Sequence, residues 1–299
     1  MKIIVRIKGG LGNQLYCYAA ARRLAVANNA ELVVDDVSGF KRDYQYQRKY
    51  MLDFFNIPSR KASVYERLEP FERIRRGIIK KIESRKLFEN RSYIEQEFDD
   101  FDKRIINIKI SKNTYIDGLW QSLKYFEDIE ELIRQDLTMK SPTDEKNLLT
   151  AIEINGSNSV AVHVRWFEDN ANNSTSNTNS NYYKKALEKA EELLEEPHYF
   201  VFSDNPIAAK SKIDFPSDRV TFVSHNNEDE KNAIWDFWLM RQCKNFIIAN
   251  STFSWWAAWL GADTNKSLVA FPRLSNEDKL KWAWDYEGQM PKNWLPIQL

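Results

Sequence analysis

The 299 residues include only two cysteines, Cys17 and Cys243, and three histidines. Two cysteines so far apart make no disulfide framework, and a reducing compartment is the plain expectation. No clustered His/Cys pattern offers a metal site, and the Asp-x-Asp lookalike at Asp100–Asp102 falls in an unpatterned acidic stretch. No uninterrupted apolar run approaches the roughly 20 residues of a membrane span. Met1 to Ile7 holds too few apolar residues before Arg6 and Lys8 to be a signal peptide. Charge of neither sign dominates, with 43 Lys plus Arg against 43 Asp plus Glu. No global field therefore draws the chain to nucleic acid or to an anionic membrane. What remains is a soluble, cytoplasmic chain with room for one large domain or two of about 150 residues.

What is there is alternation. Ile3 to Lys8 reads as a strand ending in Gly9-Gly-Leu-Gly12, Asn13 to Ala27 as a helix, and Glu31 to Asp36 as a second strand, a βαβ unit. The stretch from about 40 to 112 is charged and aromatic, with a helix expected over Arg60–Lys86 and little strand signal. A second series follows: strands at Ser159–Val164, His198–Phe202, Val220–Val223, Asn245–Ala249 and Ser267–Phe271, and helices at Tyr182–Leu194, Ala233–Gln242 and Trp255–Leu260. This spacing predicts parallel sheets wrapped by helices. The architecture expected is α/β, with residues 1–150 and 151–299 as two Rossmann-type domains joined through a helical middle segment. Residues 170–180 form a polar low-complexity loop, and loops of that length are usually functional or mobile.

The run Asn250-Ser-Thr-Phe-Ser-Trp-Trp-Ala-Ala-Trp-Leu260 is the most informative stretch. It follows a short apolar strand and opens a helix that Asn250, Ser251 or Thr252 can cap. Unpaired backbone N–H groups and the positive end of a helix dipole suit a phosphate there, although a capped helix with core tryptophans is the plainer reading. Two more polar groups follow predicted strands: Arg165 after Val160–Val164, and Ser203-Asp204 after Tyr199–Phe202. In open parallel sheets ligands bind outside the carboxyl ends of the strands. A guanidinium that forks onto phosphate oxygens, a carboxylate for ribose hydroxyls or a base N–H, and a helix start together suit a nucleotide-sugar. Taken singly, Arg165 reads as a salt bridge and Asp204 as a helix cap before Pro206.

His163 shares a strand face with Arg165 and is either a general base or a buried histidine holding a backbone group. His198 and His225 lack context and read as structural or exposed. The glycine turn with Asn13 and Gln14 places amide donors at a helix start, useful for a substrate hydroxyl or phosphate; a tight βα turn is the alternative. Read as a dinucleotide fingerprint from Gly10, it would need glycine where Leu15 stands, although Asp35 lies the right distance onward for a ribose.

Gly9-Gly-Leu-Gly-Asn-Gln-Leu, Gly118 to Phe126, His163-Val-Arg165, Tyr182-Tyr-Lys-Lys-Ala186, Phe202-Ser-Asp204 and Leu239 through Trp259 resemble, in order and over nearly the whole chain, the bacterial α-1,2-fucosyltransferases of glycosyltransferase family eleven. The resemblance implies a GT-B-like pair of Rossmann-type domains facing a cleft, with GDP-fucose as donor. It implies a galactose-terminated glycan as acceptor, inversion at the anomeric carbon, and no metal or other cofactor. It implies a role in polysaccharide or O-antigen assembly, peripheral at the inner face of the membrane where the acceptor is membrane-linked. By the same resemblance Arg165 neutralises the departing pyrophosphate, and Ser251, Thr252 and Ser254 lie on the nucleotide side. Gly10, Gly12, Asn13 and Gln14 approach the pyrophosphate and fucose.

One departure stands out. The family carries His-x-Arg-Arg-Gly-Asp, whereas this chain reads His163-Val-Arg165-Trp166-Phe167-Glu168-Asp169, losing the second arginine and the glycine. Glu168, Asp169 and His163 are the candidate bases. The altered turn keeps other readings in play: a transferase for another GDP-sugar, or a GDP-sugar or glycan binding protein. An NAD-dependent oxidoreductase is disfavoured by the missing glycine.

Overall fold

The computed structural model describes residues 1–98, 100–165, 178–226, 232–273 and 290–299. The chain divides into two compact units, one comprising Met1–Lys140 and the other running from Ser141 and including Pro291–Leu299.

Unit 1 runs β1 (Lys2–Arg6), α1 (Leu11–Ala27), β2 (Glu31–Asp35), β3 (Arg60–Lys61), α2 (Glu72–Glu83), β4 (Tyr93–Glu95), α3 (Lys103–Asn107), β5 (Thr114–Asp117) and α4 (Glu130–Asp136). Its sheet has the order β3-β2-β1-β5-β4, every pairing parallel. From β1 the chain steps to β2 and β3 on one side, then returns through β4 and β5 on the other. The switch point therefore lies between β1 and β5. Ile3 and Val5 are fully buried, as the apolar centre of a parallel sheet requires.

The middle is helical only in part. The helix expected over Arg60–Lys86 is confined to α2, because Arg60 and Lys61 pair with Val33 and Val34 as an edge strand and Pro70 lies before the helix start. Strand β4 was likewise hidden in the charged stretch, held by its register with Tyr115–Asp117.

Unit 2 runs α5 (Glu145–Gly156), β6 (Ser159–Val164), α6 (Ser180–Leu193), β7 (His198–Ser203), α7 (Pro206–Lys212), β8 (Val220–Val223), α8 (Ala233–Met240), β9 (Asn245–Ile247), α9 (Thr252–Gly261), β10 (Val269–Arg273) and β11 (Leu295–Gln298). The sheet order is β11-β10-β9-β6-β7-β8, again parallel throughout. Val160, Val162 and Val164 on β6 pack with Tyr182, Tyr183, Ala186 and Ala190 of α6, each large apolar side chain contributing about 1.5–3 kcal/mol. The division falls at Lys140/Ser141 rather than at the expected 150/151. The reason is α5, which packs on α8 and whose Asn147 exchanges hydrogen bonds with Asn226 at 2.9 and 3.0 Å.

Candidate active site

The switch point of unit 2 lies between β6 and β9, and the two chain segments leaving those strands carry Arg165 and Ser251. An Arg165 Nη1 donates to the Ser251 hydroxyl at 3.3 Å. On the other flank, Asp204 leaves β7 and its carboxylate stands 3.9 Å from Arg165 Nε. The three groups that the sequence placed after three separate strands are thus assembled into one cluster by the strand order.

Local chemistry explains each placement. Ser251 is the N-cap of α9, accepting from the Phe253 N–H at 3.3 Å, so the helix start is fixed directly beside the guanidinium. The cap of α7 is Asn205, which accepts from the Ala208 N–H at 3.0 Å, with Pro206 in the first turn. Asp204 is thereby released from the capping role, and its side chain is 54% exposed. Trp255, Trp256 and Trp259 are buried, with the Trp255 and Trp259 rings stacked at 6.0 Å. They seat α9 rigidly below the polar turn. Thr252 is half-buried at the first position of α9, and Asn250 is half-buried just before the cap.

Two other candidates, one on α9 and one at the end of β7, turn inward. Ser254 is fully buried, and its hydroxyl donates to the carbonyls of Ser251 at 3.3 Å and Ala249 at 3.5 Å. It braces the turn rather than facing a nucleotide, because its proton is committed to backbone acceptors. Ser203 is buried, and its hydroxyl accepts from the Asn205 N–H at 3.0 Å.

His163 is buried, with its ring centre 5.6 Å from that of Phe253 and its Nδ1 without a hydrogen-bond partner. Burial, reinforced by the Arg165 charge, drops its pKa to about 3. An imidazole so reluctant to take a proton is a poor general base at neutral pH, and its surroundings are those of a core residue. His198 and His225 have local partners in Thr221 at 2.9 Å and Asn147 at 3.0 Å. Glu168 and Asp169 lie outside the described residues, as does the loop 170–177.

At the switch point of unit 1 lies the glycine turn. Gly9 has φ +78°, the left-handed region, and a Cβ there would meet Asn13 Nδ2 at 2.9 Å. Gly10 is the N-cap of α1 without a side-chain cap, and no acid stands in the first turn. Gly12 is buried within that first turn. Asn13 is half-buried and accepts from Gln121 Nε2 at 2.7 Å, while its own amide donors make no hydrogen bond to described residues.

Gln14 contradicts its expected role as a ligand donor. It is fully buried, donating to the Gly9 carbonyl at 2.9 Å and the Lys49 carbonyl at 2.8 Å, and accepting from the Met51 N–H at 2.9 Å. Its amide is used up in tying the loop before Met51 to the glycine turn. Asp35 is likewise no ribose ligand. It is fully buried and accepts from the hydroxyls of Ser38 and Tyr115, both at 2.5 Å.

Sequence reasoning passed over three charged residues. Asp117, at the end of β5, takes Lys8 at 2.8 Å, Arg6 at 3.2 Å and the Tyr93 hydroxyl at 2.8 Å. Burial alone would raise its pKa, but the Lys8 and Arg6 charges win and hold it well below the usual carboxylate range. Asp236 on α8 accepts from Asn226 at 2.8 Å, and burial pushes its carboxyl up to about 7 against that hydrogen bond. Arg76 of α2 is buried, its Nη2 donating to Ser38 at 2.9 Å and Tyr115 at 3.1 Å while Nε has no partner. Buried charges off the periodic apolar pattern leave no signal in a single sequence.

Neither thiol is a nucleophile. Cys17 and Cys243 are both buried, and burial pushes Cys17 up to about 11 and Cys243 higher still. Among the described residues no group of three or more His, Cys, Asp or Glu could hold a metal ion, and no helix is long and apolar enough to cross a membrane.

A family model described as Glycosyl transferase family 11 matches residues 2–298. An alpha-1,2-colitosyltransferase from Escherichia coli is 30% identical over 305 residues, covering 99% of each chain. The O-antigen biosynthesis glycosyltransferase WbnK from the same organism is 31% identical over 314 residues, covering 93% of this chain and 97% of its own. Among solved structures, the alpha-1,6-fucosyltransferase NodZ co-crystallised with GDP aligns with a TM-score of 0.53 at 18% identity, over 86% of this chain and 91% of that one. A mutant of Arabidopsis thaliana FUT1 in complex with GDP aligns with a TM-score of 0.55 at 14% identity, over 90% and 69%. At those identities the likeness is one of fold, and it is the GT-B type of paired α/β units.

Proposed function

The chain belongs to glycosyltransferase family 11, and from that premise we propose that it moves L-fucose from GDP-fucose to a glycan hydroxyl, galactose O2 by preference, with inversion. The observation that carries this reading is the cluster at the β6/β9 switch point: Arg165 hydrogen-bonded to the Ser251 cap of α9, with Asp204 alongside. A fixed cation beside a helix start suits the diphosphate of a nucleotide-sugar. Asp204 is exposed enough to accept from a ribose hydroxyl or a base N–H.

The acceptor oxygen attacks C1 on the face opposite GDP, the C1–O bond to the β-phosphate breaks, and the electron pair leaves with GDP. The transition state has oxocarbenium character. Charge grows on the leaving oxygen, and Arg165 with the first N–H groups of α9 meets it, an effect that belongs in kcat as well as in binding. Glu168 or Asp169 is the proposed acceptor of the hydroxyl proton. Asn13, whose amide donors make no hydrogen bond to a described residue, is the proposed polar contact of the glycine turn to substrate, and Gly10 and Gly12 keep the backbone there bare. The domain roles follow: unit 2 for the nucleotide-sugar, unit 1 for the acceptor. The enzyme is proposed to need no divalent cation and to work in the cytoplasm, against the inner membrane face, on a lipid-linked galactoside.

A second donor is favoured by one finding. The 30% identical relative transfers colitose, a deoxygenated analogue of fucose, and the family's arginine-glycine pair is replaced here by Trp166-Phe167. Incubation with a galactoside, EDTA and in turn GDP-fucose, GDP-colitose and other GDP-sugars separates the readings. GDP release with fucose alone supports the first, and release with colitose alone the second. Release with neither, while GDP still binds by calorimetry, leaves a binding protein.

A further inference from the structure

Helix α2 presents an apolar stripe outward. Ile74, Ile78 and Ile82 recur at i, i+4 and i+8, one face of a helix, and Phe71 continues the line at the N-terminal end. These four side chains are 52% to 72% exposed. The opposite face holds the helix to unit 1 without them: Arg76 and Glu83 are buried, and Ile79 packs on the cluster of Ile4, Val33, Tyr93 and Tyr115.

Cations rim the stripe. Arg42, Arg73, Lys81 and Arg85 are exposed and form no ion pair with a described residue. A groove of about 760 Å³ is lined by Phe71, Ile74 and Ile78 together with Arg42, Arg73 and Lys81, with Glu72 the one acid among them. Next to it a cavity of about 610 Å³ carries Arg6, Arg42, Arg73, Arg76 and Lys80 on its wall, against the two acids Asp43 and Glu72. A chain whose net charge is zero thus sets an excess of basic side chains along this exposed apolar face.

We propose that α2 lies in the interfacial plane of an anionic phospholipid bilayer, its isoleucines among the acyl-chain ends and its arginines and lysines on the headgroup phosphates. An apolar ridge flanked by Lys and Arg is the pattern of an interfacial helix, and each basic group near such a surface strengthens the attraction. A second copy of the chain is the weaker occupant. A twofold contact brings the same patch onto itself, which would set the basic rim of one copy, with Arg42, Arg73, Lys81 and Arg85, against the basic rim of the other. This deepens the peripheral membrane placement proposed above and is independent of which sugar is moved.

The test is flotation of the full-length protein with vesicles of phosphatidylcholine alone or with added phosphatidylglycerol, alongside turnover on a soluble galactoside. The wild type should float with the anionic vesicles and stay behind with the neutral ones, and raised salt should release it. The paired changes Ile74→Ser with Ile78→Ser, and separately Arg73→Gln with Lys81→Gln, should each cut the vesicle partition coefficient by at least about tenfold while soluble turnover stays at the wild-type level. Equal binding to neutral vesicles, no binding to anionic ones, or variants that float like the wild type would overturn the proposal. So would a dimer in solution that the isoleucine changes dissociate, since the stripe would then be covered by a second copy. Failed turnover with intact vesicle binding would count against the transferase reading alone.

Discussion

Replacing Arg165 by alanine removes a formal positive charge that the structure fixes against the α9 cap. Two unit charges about 4 Å apart interact by roughly 4 kcal/mol at an effective dielectric near 20. That dielectric suits a side chain that is 29% exposed. Only the part of the interaction that grows as the leaving oxygen gains charge lowers the barrier. The scale of lost oxyanion donors, about 2.7–4 kcal/mol, corresponds to a fall of about 100- to 1000-fold in kcat. Arg165→Lys keeps the charge but loses the planar fork, and should fall between, near tenfold. The fold should hardly notice, because the pairing with Asp204 at 3.9 Å joins two partly exposed groups, a class worth about 0–1 kcal/mol. The assay is GDP release from the preferred donor with a saturating galactoside, with circular dichroism and Tm on the same samples. Alanine turnover within threefold of wild type at an unchanged Tm would refute the leaving-group role.

Other outcomes follow from the same geometry. Asp236 has a folded pKa near 7 against an ordinary 3.8, so what it lends to stability is complete below about pH 4 and is lost as pH rises through about 7. Urea unfolding should therefore show the wild type losing on the order of 2–4 kcal/mol over that range, and Asp236→Asn a flatter curve; parallel curves would contradict this. His163→Asn should retain at least a tenth of wild-type turnover and leave the neutral limb of the pH–rate profile in place. A profile that loses its limb with the imidazole would restore His163 as the base. Gln14→Ala should cost about 2–4 kcal/mol by leaving the Met51 N–H and two carbonyls without partners, read as a lower Tm with KM for the donor little changed at temperatures where the protein is folded.

The alternation of apolar runs was enough to place β1, β2, and β6 to β10 to within a few residues, because buried parallel strands are continuous apolar segments. Strands β3, β4, β5 and β11 were not legible. They are two to four residues long, and one contains Pro296, so only their pairing partners identify them. At the site, Arg165, Ser251 and Asp204 could be read from their positions after strands, since the strand order does the rest. Gln14, Ser203 and Ser254 could not. Whether a polar side chain at a turn faces a ligand or the chain's own carbonyls depends on its rotamer and its hydrogen bonds, which leave no trace in spacing. Asp204 shows the same limit from the other direction. Its neighbour Asn205 takes the cap, and a one-residue difference in capping frees a carboxylate for the site. The isoleucines of α2 had the period of a core helix, and only exposure tells that they face outward.

Strand β11 pairs with β10 along Leu295–Gln298, and Trp294 brings its ring 5.7 Å from Trp255. The foundation under the α9 turn is therefore completed by residues translated some forty positions after it. A nascent chain that has already made Arg165 and Ser251 still holds an open aromatic cluster and an unpaired edge strand, the two surfaces most prone to sticking. Deleting the stretch from Trp294 onward should turn an expressible enzyme into one that needs chaperone shelter.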